Sequence, residues 1–491
     1  MSDTHSGTGA AAAHAGAAGP AGRHVVVVGG GISGLAAAHR LAGAGARVTL
    51  LEASPRLGGK LHADEIAGVP VDLGAESILA RRPEAVGLAR EVGLGEDLEA
   101  PAVLGATLWT RGRLRPMPKG HVMGVPGDLG PLAASGVISA AGLARIPLDH
   151  VLPRTAIDGD VAVGAFVAAR LGREVVDRLV EPLLGGVYAG NAYEISLRAA
   201  VPQLYAAART GRSLIEAARD VQRRAAASAG TGPVFNGIRG GVGRLPLAVA
   251  DACRAAGVTI ETGAPVRELR RSGPHGWQVR LDGRAVEADA VVLAAPAPAA
   301  ARLLGAESPA AAADLDSVDY AGMALVTLAY RRADLLRLPQ SSGFLVPPVD
   351  GRTIKASTFS SRKWGWQDEA GGGTMVLRTS VGRHGDEADL AWDDADLVRL
   401  SRDDLAEAVG LLAAPIAARV TRWASGLPQY PVGHVDRVAR IREQVAKLPG
   451  LAVCGAPYDG VGIPACVGSG QRAAAEVLRT LVPGASGGAG E

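Results

Sequence analysis

Cysteine is nearly absent from this chain. Three residues in 491, Cys253, Cys454 and Cys466, cannot build a disulfide framework, and none stands in a C-x-x-C pair. A reducing cytoplasm is the compartment that this usage fits. No apolar run approaches the roughly 18 residues of a spanning helix, so no transmembrane segment is expected. Charge of one sign is not in excess. The 51 Lys and Arg stand against 49 Asp and Glu, which leaves no electrostatic footprint for nucleic acid or an acidic membrane surface. The 10 histidines form no H-x-x-x-H or mixed His/Cys cluster, so no metal site is expected. Aromatics are scarce and Ala and Gly abundant, a bias that reads as the codon habit of a GC-rich genome. Residues 1–22 lack a basic start and a bulky apolar stretch, and read as a disordered tail, not a signal peptide; residues 483–491 read the same way.

What is present is a long chain that asks for two or three domains. Residues 24–52, HVVVVGGGISGLAAAHRLAGAGARVTLLE, form a compact βαβ pattern. Val25 to Val28 is a continuous apolar run, as in a strand buried on both faces. Leu35 to Ala42 is rich in helix formers, Gly43 and Gly45 end it, and Val48 to Leu51 is a second strand. Residues 86–97 read as a helix and 106–118 as a hairpin turning near Arg111 and Gly112. From 120 to 229 the pattern is helical, with Phe166, Val167, Leu171, Val175 and Leu179 on one face. A helix at Leu245–Ala256 follows, then strands at Val258–Glu261, Val266–Leu269, Trp277–Leu281 and Ala290–Ala294. Residues 320–382 alternate like an antiparallel sheet, 403–413 are helical, Leu451–Cys454 is a last buried strand, and Gln471–Leu481 a closing helix.

The α/β signal thus comes in three separated pieces. The expected fold class is α/β: a discontinuous Rossmann-like dinucleotide domain (23–85, 230–300, 420–482), interleaved with an α+β substrate domain (86–119, 301–419) and a helical subdomain (120–229).

Gly29, Gly31 and Gly34 fit G-x-G-x-x-G after a strand and at the start of a helix. The first allows a tight turn, the second lets backbone approach a pyrophosphate, and the third lets helix and strand pack closely. The helix N-terminus then offers free N–H groups to the phosphates. Glu52 closes the second strand, where a carboxylate accepts from ribose hydroxyls. The continuation ASPRLGGK, with a glycine pair at Gly58 and Gly59, resembles the flavin amine-oxidase superfamily. That resemblance implies FAD, surrounded by Glu52, Ala53, Arg56, Gly58 and Gly59, with Lys60 standing where many members have Arg.

Longer internal motifs sharpen the match. DLGAESILARRPEA (72–85), PMPKGHVMGVP (116–126), RLVEPLLGGVYAGNAYEISLRA (178–199), WASGLPQYPVGH (423–434) and CGAPYDGVGIPACVGSG (454–470) resemble the protoporphyrinogen/coproporphyrinogen oxidases, over about residues 24–480. The likeness is greatest to the soluble Gram-positive and actinobacterial coproporphyrinogen III oxidases. It implies six-electron oxidation of a porphyrinogen by hydride transfer to FAD, with O2 reduced to H2O2 and no catalytic triad. A ferrochelatase-type enzyme is the partner it brings in for the product.

By the same resemblance, cofactor contacts fall on Gly29, Gly30, Gly31, Ile32, Ser33 and Gly34, on Gly74, Ala75, Glu76 and Ser77, on the backbone of Val266, and on Trp423. Substrate contacts are expected from Arg81 and Arg82, from Lys119, and from Tyr188 lining the pocket; arginine suits bidentate carboxylate binding. Tyr188 reads equally as a core tyrosine. The absence of Cys from 423–434 implies non-covalent FAD. Protoporphyrinogen IX remains the alternative substrate, and an amine oxidase, a carotenoid desaturase or a FAD-binding protein without turnover the alternative functions. The closing segment is expected to bring Gly455 beneath the cofactor and Val461, Gly462 and Ile463 past its ring, with a helix from near Ser469 aimed at the ring.

Overall fold

The computed structural model describes residues 22–228, 232–274, 276–336 and 338–481; both terminal tails lie outside them. Five strands form one parallel sheet in the order Thr259–Glu261, Arg47–Leu51, His24–Val28, Ala290–Leu293, Leu451–Val453. His24–Val28 and Ala290–Leu293 are buried at every position, which is why they read as unbroken valine runs. Three stretches of chain, far apart in sequence, thus share one sheet.

Helices Ile32–Gly43, Arg244–Ala255 and Ile463–Leu481 cover one face and share a core with Leu35, Leu41, Val249, Val467 and Val477. The other face carries a three-stranded sheet, Glu268–Ser272, Gly276–Leu281 and Arg284–Ala288, around the buried Trp277.

A second sheet of seven strands runs Ala417–Pro428, Tyr320–Arg331, Thr374–Val381, Ile354–Thr358, Gly343–Leu345, Thr107–Thr110, Arg113–Pro116. Every pairing is antiparallel except Gly343–Leu345 with Thr107–Thr110. The expected turn at Arg111 and Gly112 joins the last two strands, both residues at positive φ. The helical body buries Phe166, Val167, Leu171, Val175 and Leu179 together. Its center holds the ion pair of Arg170 Nε with Asp149 Oδ1, 2.5 Å apart and almost fully buried.

The structure shifts several boundaries. Strand Ala417–Pro428 crosses the expected limit at 420: it is the edge of the seven-stranded sheet, so Trp423 belongs to that sheet. The helix expected at 86–97 spans Pro83–Glu91 and packs into the dinucleotide core through Ala85, Val86, Leu88 and Ala89, not into the substrate domain. The helix expected at 403–413 is Asp394–Val409, capped by the Asp393 side chain on the Asp396 N–H. Val266 lies before its strand, which begins at Glu268.

The largest correction concerns the closing helix, which starts at Ile463 and not near Ser469. Cys466, Gly468, Ser469 and Gly470 have loop-like composition, yet they are helical because the helix crosses Ile32–Gly43 at close range. A Cβ at Gly470 would lie 2.0 Å from the Ser33 carbonyl oxygen. Tertiary packing overrides propensity there.

Candidate active site

The first βα turn is built for backbone contact. A Cβ at Gly29 would meet the Ala294 carbonyl oxygen at 2.6 Å, and one at Gly34 the Gly29 oxygen at 1.9 Å, so both glycines serve packing. Gly31 differs: nothing lies within 4 Å of where its Cβ would be. It is also the N-cap of a 12-residue helix with no side-chain cap and no acid in the first turn. A bare helix N-terminus facing open space is the cradle that a pyrophosphate requires, so the residues present fit a dinucleotide.

The neighbours of the turn close around it. Gly58 pairs with Gly31 as an isolated parallel bridge, and its N–H donates to the Gly30 oxygen at 2.9 Å. Glu52 accepts from the N–H groups of Gly30 (2.6 Å) and Ser54 (2.8 Å), which fixes its carboxylate beside the turn. Its carbonyl accepts from Ala264 at 2.8 Å and brings the 262–267 segment, with Val266, alongside; Ala53 lies exposed next to it.

A second group forms at Trp423. Its indole N–H donates to the Leu73 oxygen at 2.9 Å, and the side chains of Arg56 and Lys60 lie over its ring at 5.7 and 5.8 Å. Burial, then the charge of Arg56, holds the Lys60 amine below its usual range. A Cβ at Gly74 would strike the Lys60 oxygen at 2.0 Å and the Trp423 ring at 3.4 Å. Residues 74–77 are then clamped from the seven-stranded sheet. Lys363 Nζ donates to Glu76 (2.6 Å) and Ser77 (2.9 Å), while Arg378 donates to Glu76 (2.9 Å) and the Gly74 oxygen (2.8 Å). Burial is the largest single influence on the Glu76 carboxyl and pushes it up, but the two cations together outweigh it and hold the carboxyl below its ordinary range. Arg378 Nε remains buried without a partner.

The closing segment reaches the same place from the far end of the chain. Gly455, at φ +123°, sits with Ser33 Oγ 3.9 Å from where its Cβ would be. Its N–H donates to Ser469 Oγ at 3.0 Å. Ser469 donates in turn to Asp459, whose carboxylate also takes Arg442 (2.7 Å) and Arg472 (2.6 Å). Cys466 packs against the Gly460 and Val461 carbonyls, and burial pushes its thiol up to about 11. Gly462 is exposed at the start of the Ile463–Leu481 helix.

The substrate-side candidates do not gather as one group. Tyr188 is half-buried, meets Tyr430 edge-on at 5.7 Å, and burial pushes its phenol up to about 12. Tyr430 donates to the Ala456 oxygen, which ties Tyr188 to the closing segment. Arg82 pairs with Glu84, while Arg81 is exposed beside it; Lys119 is exposed on a loop of the helical body. Sequence reasoning missed the Lys363–Glu76–Arg378 clamp, the Asp459–Ser469 relay, and His434, which stacks on Tyr430 at 4.2 Å. A charged residue at Arg378, inside the apolar strand TMVLRTSV, was the one signal available.

A parallel sheet with a bare glycine turn, joined to a mixed sheet that grips the flanking segment, defines a dinucleotide-binding protein of Rossmann-like class. Residues 32–478 match the model of the flavin containing amine oxidoreductases. The chain is 40% identical over 464 residues to a coproporphyrinogen III oxidase of Mycobacterium tuberculosis, covering 94% of this chain and 98% of that one. It is 34% identical to a protoporphyrinogen oxidase of Bos taurus, covering 94% and 99%. A solved structure of a protoporphyrinogen oxidase candidate from Exiguobacterium sp. 255-15 superposes with a TM-score of 0.81 at 31% identity, covering 93% of this chain and 98% of that one. The chain belongs to the flavin containing amine oxidoreductase family, within the group that holds the coproporphyrinogen III oxidases. It is a FAD-dependent oxidoreductase.

Proposed function

We propose that this enzyme oxidises coproporphyrinogen III to coproporphyrin III with dioxygen. Six electrons and six hydrogens leave the macrocycle in three rounds, and three O2 become three H2O2, so the sum balances. The observation that carries this reading is the near-full-length identity to a coproporphyrinogen III oxidase, at 40% against 34% for the protoporphyrinogen oxidase.

FAD supplies the two-electron chemistry when bound, and the chain's own groups supply position. Gly31 and the first turn of its helix would hold the pyrophosphate, Glu52 the ribose, and the backbone near Val266 the adenine. Trp423, Gly74 and the clamped 74–77 segment would bound the ring, with Val461, Gly462 and Ile463 on its other edge. The N-terminus of helix Ile463–Leu481, not a helix start near Ser469, would take the electrostatic role at the ring. FAD is held without a covalent bond: all three cysteines are buried, and none lies on 423–434. Denaturing the yellow protein is expected to release all of its flavin into the filtrate; flavin retained on the chain overturns this.

The enzyme is tested by mixing it with coproporphyrinogen III under air and following porphyrin fluorescence and peroxide. Appearance of both, three H2O2 per porphyrin, is expected; signal with protoporphyrinogen IX alone would reassign the substrate. Arg81, Arg82, Lys119 and Tyr188 are the proposed substrate contacts. Replacing Arg81 and Arg82 together by Ala is expected to raise KM about tenfold or more, since a hydrogen bond to a charged group contributes about 1.5–3 kcal/mol. Unchanged KM and kcat would remove both from the site. No helix among the described residues is long and apolar enough to cross a membrane. We place the reaction in the cytoplasm, with a ferrochelatase-type enzyme taking the product.

A further inference from the structure

Strand Thr374–Val381 has two chemically distinct faces. Thr379 points to the face covered by helix Asp394–Val409, where it donates to the buried Ser401 at 2.8 Å, so Arg378 and Ser380 point to the opposite side, where Gly74 and Glu76 lie. In register with them stand Thr358 and Ala356, and beside Ala356 stands Leu345. Leu345, Ala356, Thr358 and Ser380 all keep partial exposure in the middle of the sheet. Helix Glu181–Tyr188 packs over that same face, its Gly186 opposite Leu345. Partial exposure beneath a covering helix marks an opening between helix and sheet.

One end of this opening is Arg378, against the Gly74 segment. The other is Gly382, four residues on and ~13 Å away at the rise of a strand. A bulge between Ile354 and Ala356 turns Lys355 there, and its Nζ donates to the Gly382 oxygen at 2.6 Å. Arg383 is adjacent, donating to the Val346 oxygen at 3.0 Å. Lys355 and Arg383 are 6% and 8% exposed. Glu181, at the start of the covering helix, acts on Arg383 together with the exposed Asp386, and spends one oxygen on the Ala192 N–H at 2.6 Å. Among the described residues no carboxylate acts on Lys355: burial, then the like charge of Arg383, pushes its amine down to about 7. An ammonium has three donors, and here one is used. A buried cation without its counter-charge is costly to the fold, and such costs collect at functional sites.

We propose that Lys355, with Arg383 beside it, receives a propionate carboxylate of the tetrapyrrole at the end of the cavity remote from Gly74, and so favours the substrate richer in propionates. This rests on the porphyrinogen reading above. It differs from the Arg81 and Arg82 assignment, which concerns an exposed edge.

The probes are coproporphyrin III and its tetramethyl ester, titrated by fluorescence quenching against the holoenzyme and a Lys355→Met variant. The variant is expected to lose about tenfold or more in affinity for the tetra-acid, with affinity for the ester unchanged. KM for coproporphyrinogen III should rise in step, with kcat little altered. Thermal unfolding should be unchanged or shifted upward, because methionine removes an uncompensated buried charge. Equal losses for acid and ester, or no loss for either, overturns the proposal; so does a lowered Tm without acid-selective loss, which would make Lys355 a residue of the fold alone. Arg383→Gln is the second variant and should show the same selective loss. Failure of the wild-type enzyme to oxidise coproporphyrinogen III is a separate result, and would sink the functional reading instead.

Discussion

Gly470→Ala is expected to yield a protein that has lost its yellow color, although every residue of the G-x-G-x-x-G loop is intact. The new methyl carbon would sit 2.0 Å from the Ser33 oxygen, 2.9 Å from its carbonyl carbon and 3.2 Å from the Ala37 nitrogen. All three are backbone atoms of the Ile32–Gly43 helix, so no side chain can swing aside. The two helices must separate, and overpacking of this kind costs about 1–3 kcal/mol or more. Ser33 lies in the first turn, whose N–H groups are to meet the pyrophosphate, so the displacement falls on the cofactor. FAD affinity should drop by about 100-fold, the equivalent of about 2.8 kcal/mol, measured by flavin retention on desalting and by fluorescence titration of the apoprotein. Gly43→Ala is the control: it lies at the far end of the facing Ile32–Gly43 helix, with nothing within 4 Å of its Cβ position. A Gly470→Ala protein that binds FAD like wild type would refute the claim that both ends of the chain hold one cofactor.

The second large effect is expected at Glu76. Replacing it by Ala leaves Lys363 and Arg378 facing each other in a site where the three side chains are 19%, 9% and 13% exposed, in the order Lys363, Arg378, Glu76. Removing one partner of a buried ionic group costs about 3–5 kcal/mol, because the remaining charge stays desolvated. Urea unfolding should show that loss, and the flavin should leave earlier in the transition than in wild type, since residues 74–77 lose their clamp. Glu76→Gln, which keeps the shape and some hydrogen bonding, should lose less. Acid acts on the same contact. The folded carboxyl titrates below its ordinary value of 4.5, so this stabilisation is complete above that value and disappears as pH falls through the lower, folded one. A Glu76→Ala protein as stable as wild type would mean that the cations rearrange to solvent.

The legible part of the molecule was the part where local chemistry is repeated in space. Val25–Val28 and the glycines after it announce a buried strand and a backbone-lined turn, because both constraints act within ten residues. The three-piece interleaving was visible for the same reason: each piece carries its own strand and helix signal. Glu76 was legible as part of the DLGAES motif, but its partners Lys363 and Arg378 are 287 and 302 residues away, and no local pattern points to them. Gly468 and Gly470 misled because glycine usually ends a helix, whereas here it permits two helices to touch. The boundary at 420 misplaced Trp423 because a 12-residue strand, bulged where it pairs with Ala321 and Met323, carries one long edge past the domain junction.

The order of strands in the parallel sheet also sets a timetable for the living cell. Strand Leu451–Val453 and helix Ile463–Leu481 leave the ribosome long after Gly29, yet they complete the wall that it begins. At about 5–20 residues per second, roughly 20–90 s separate the two events. Throughout that interval the nascent chain has a glycine turn and no floor beneath it. Cofactor capture must therefore wait until the Ile463–Leu481 helix has been made and packed, however early the G-x-G-x-x-G turn folds.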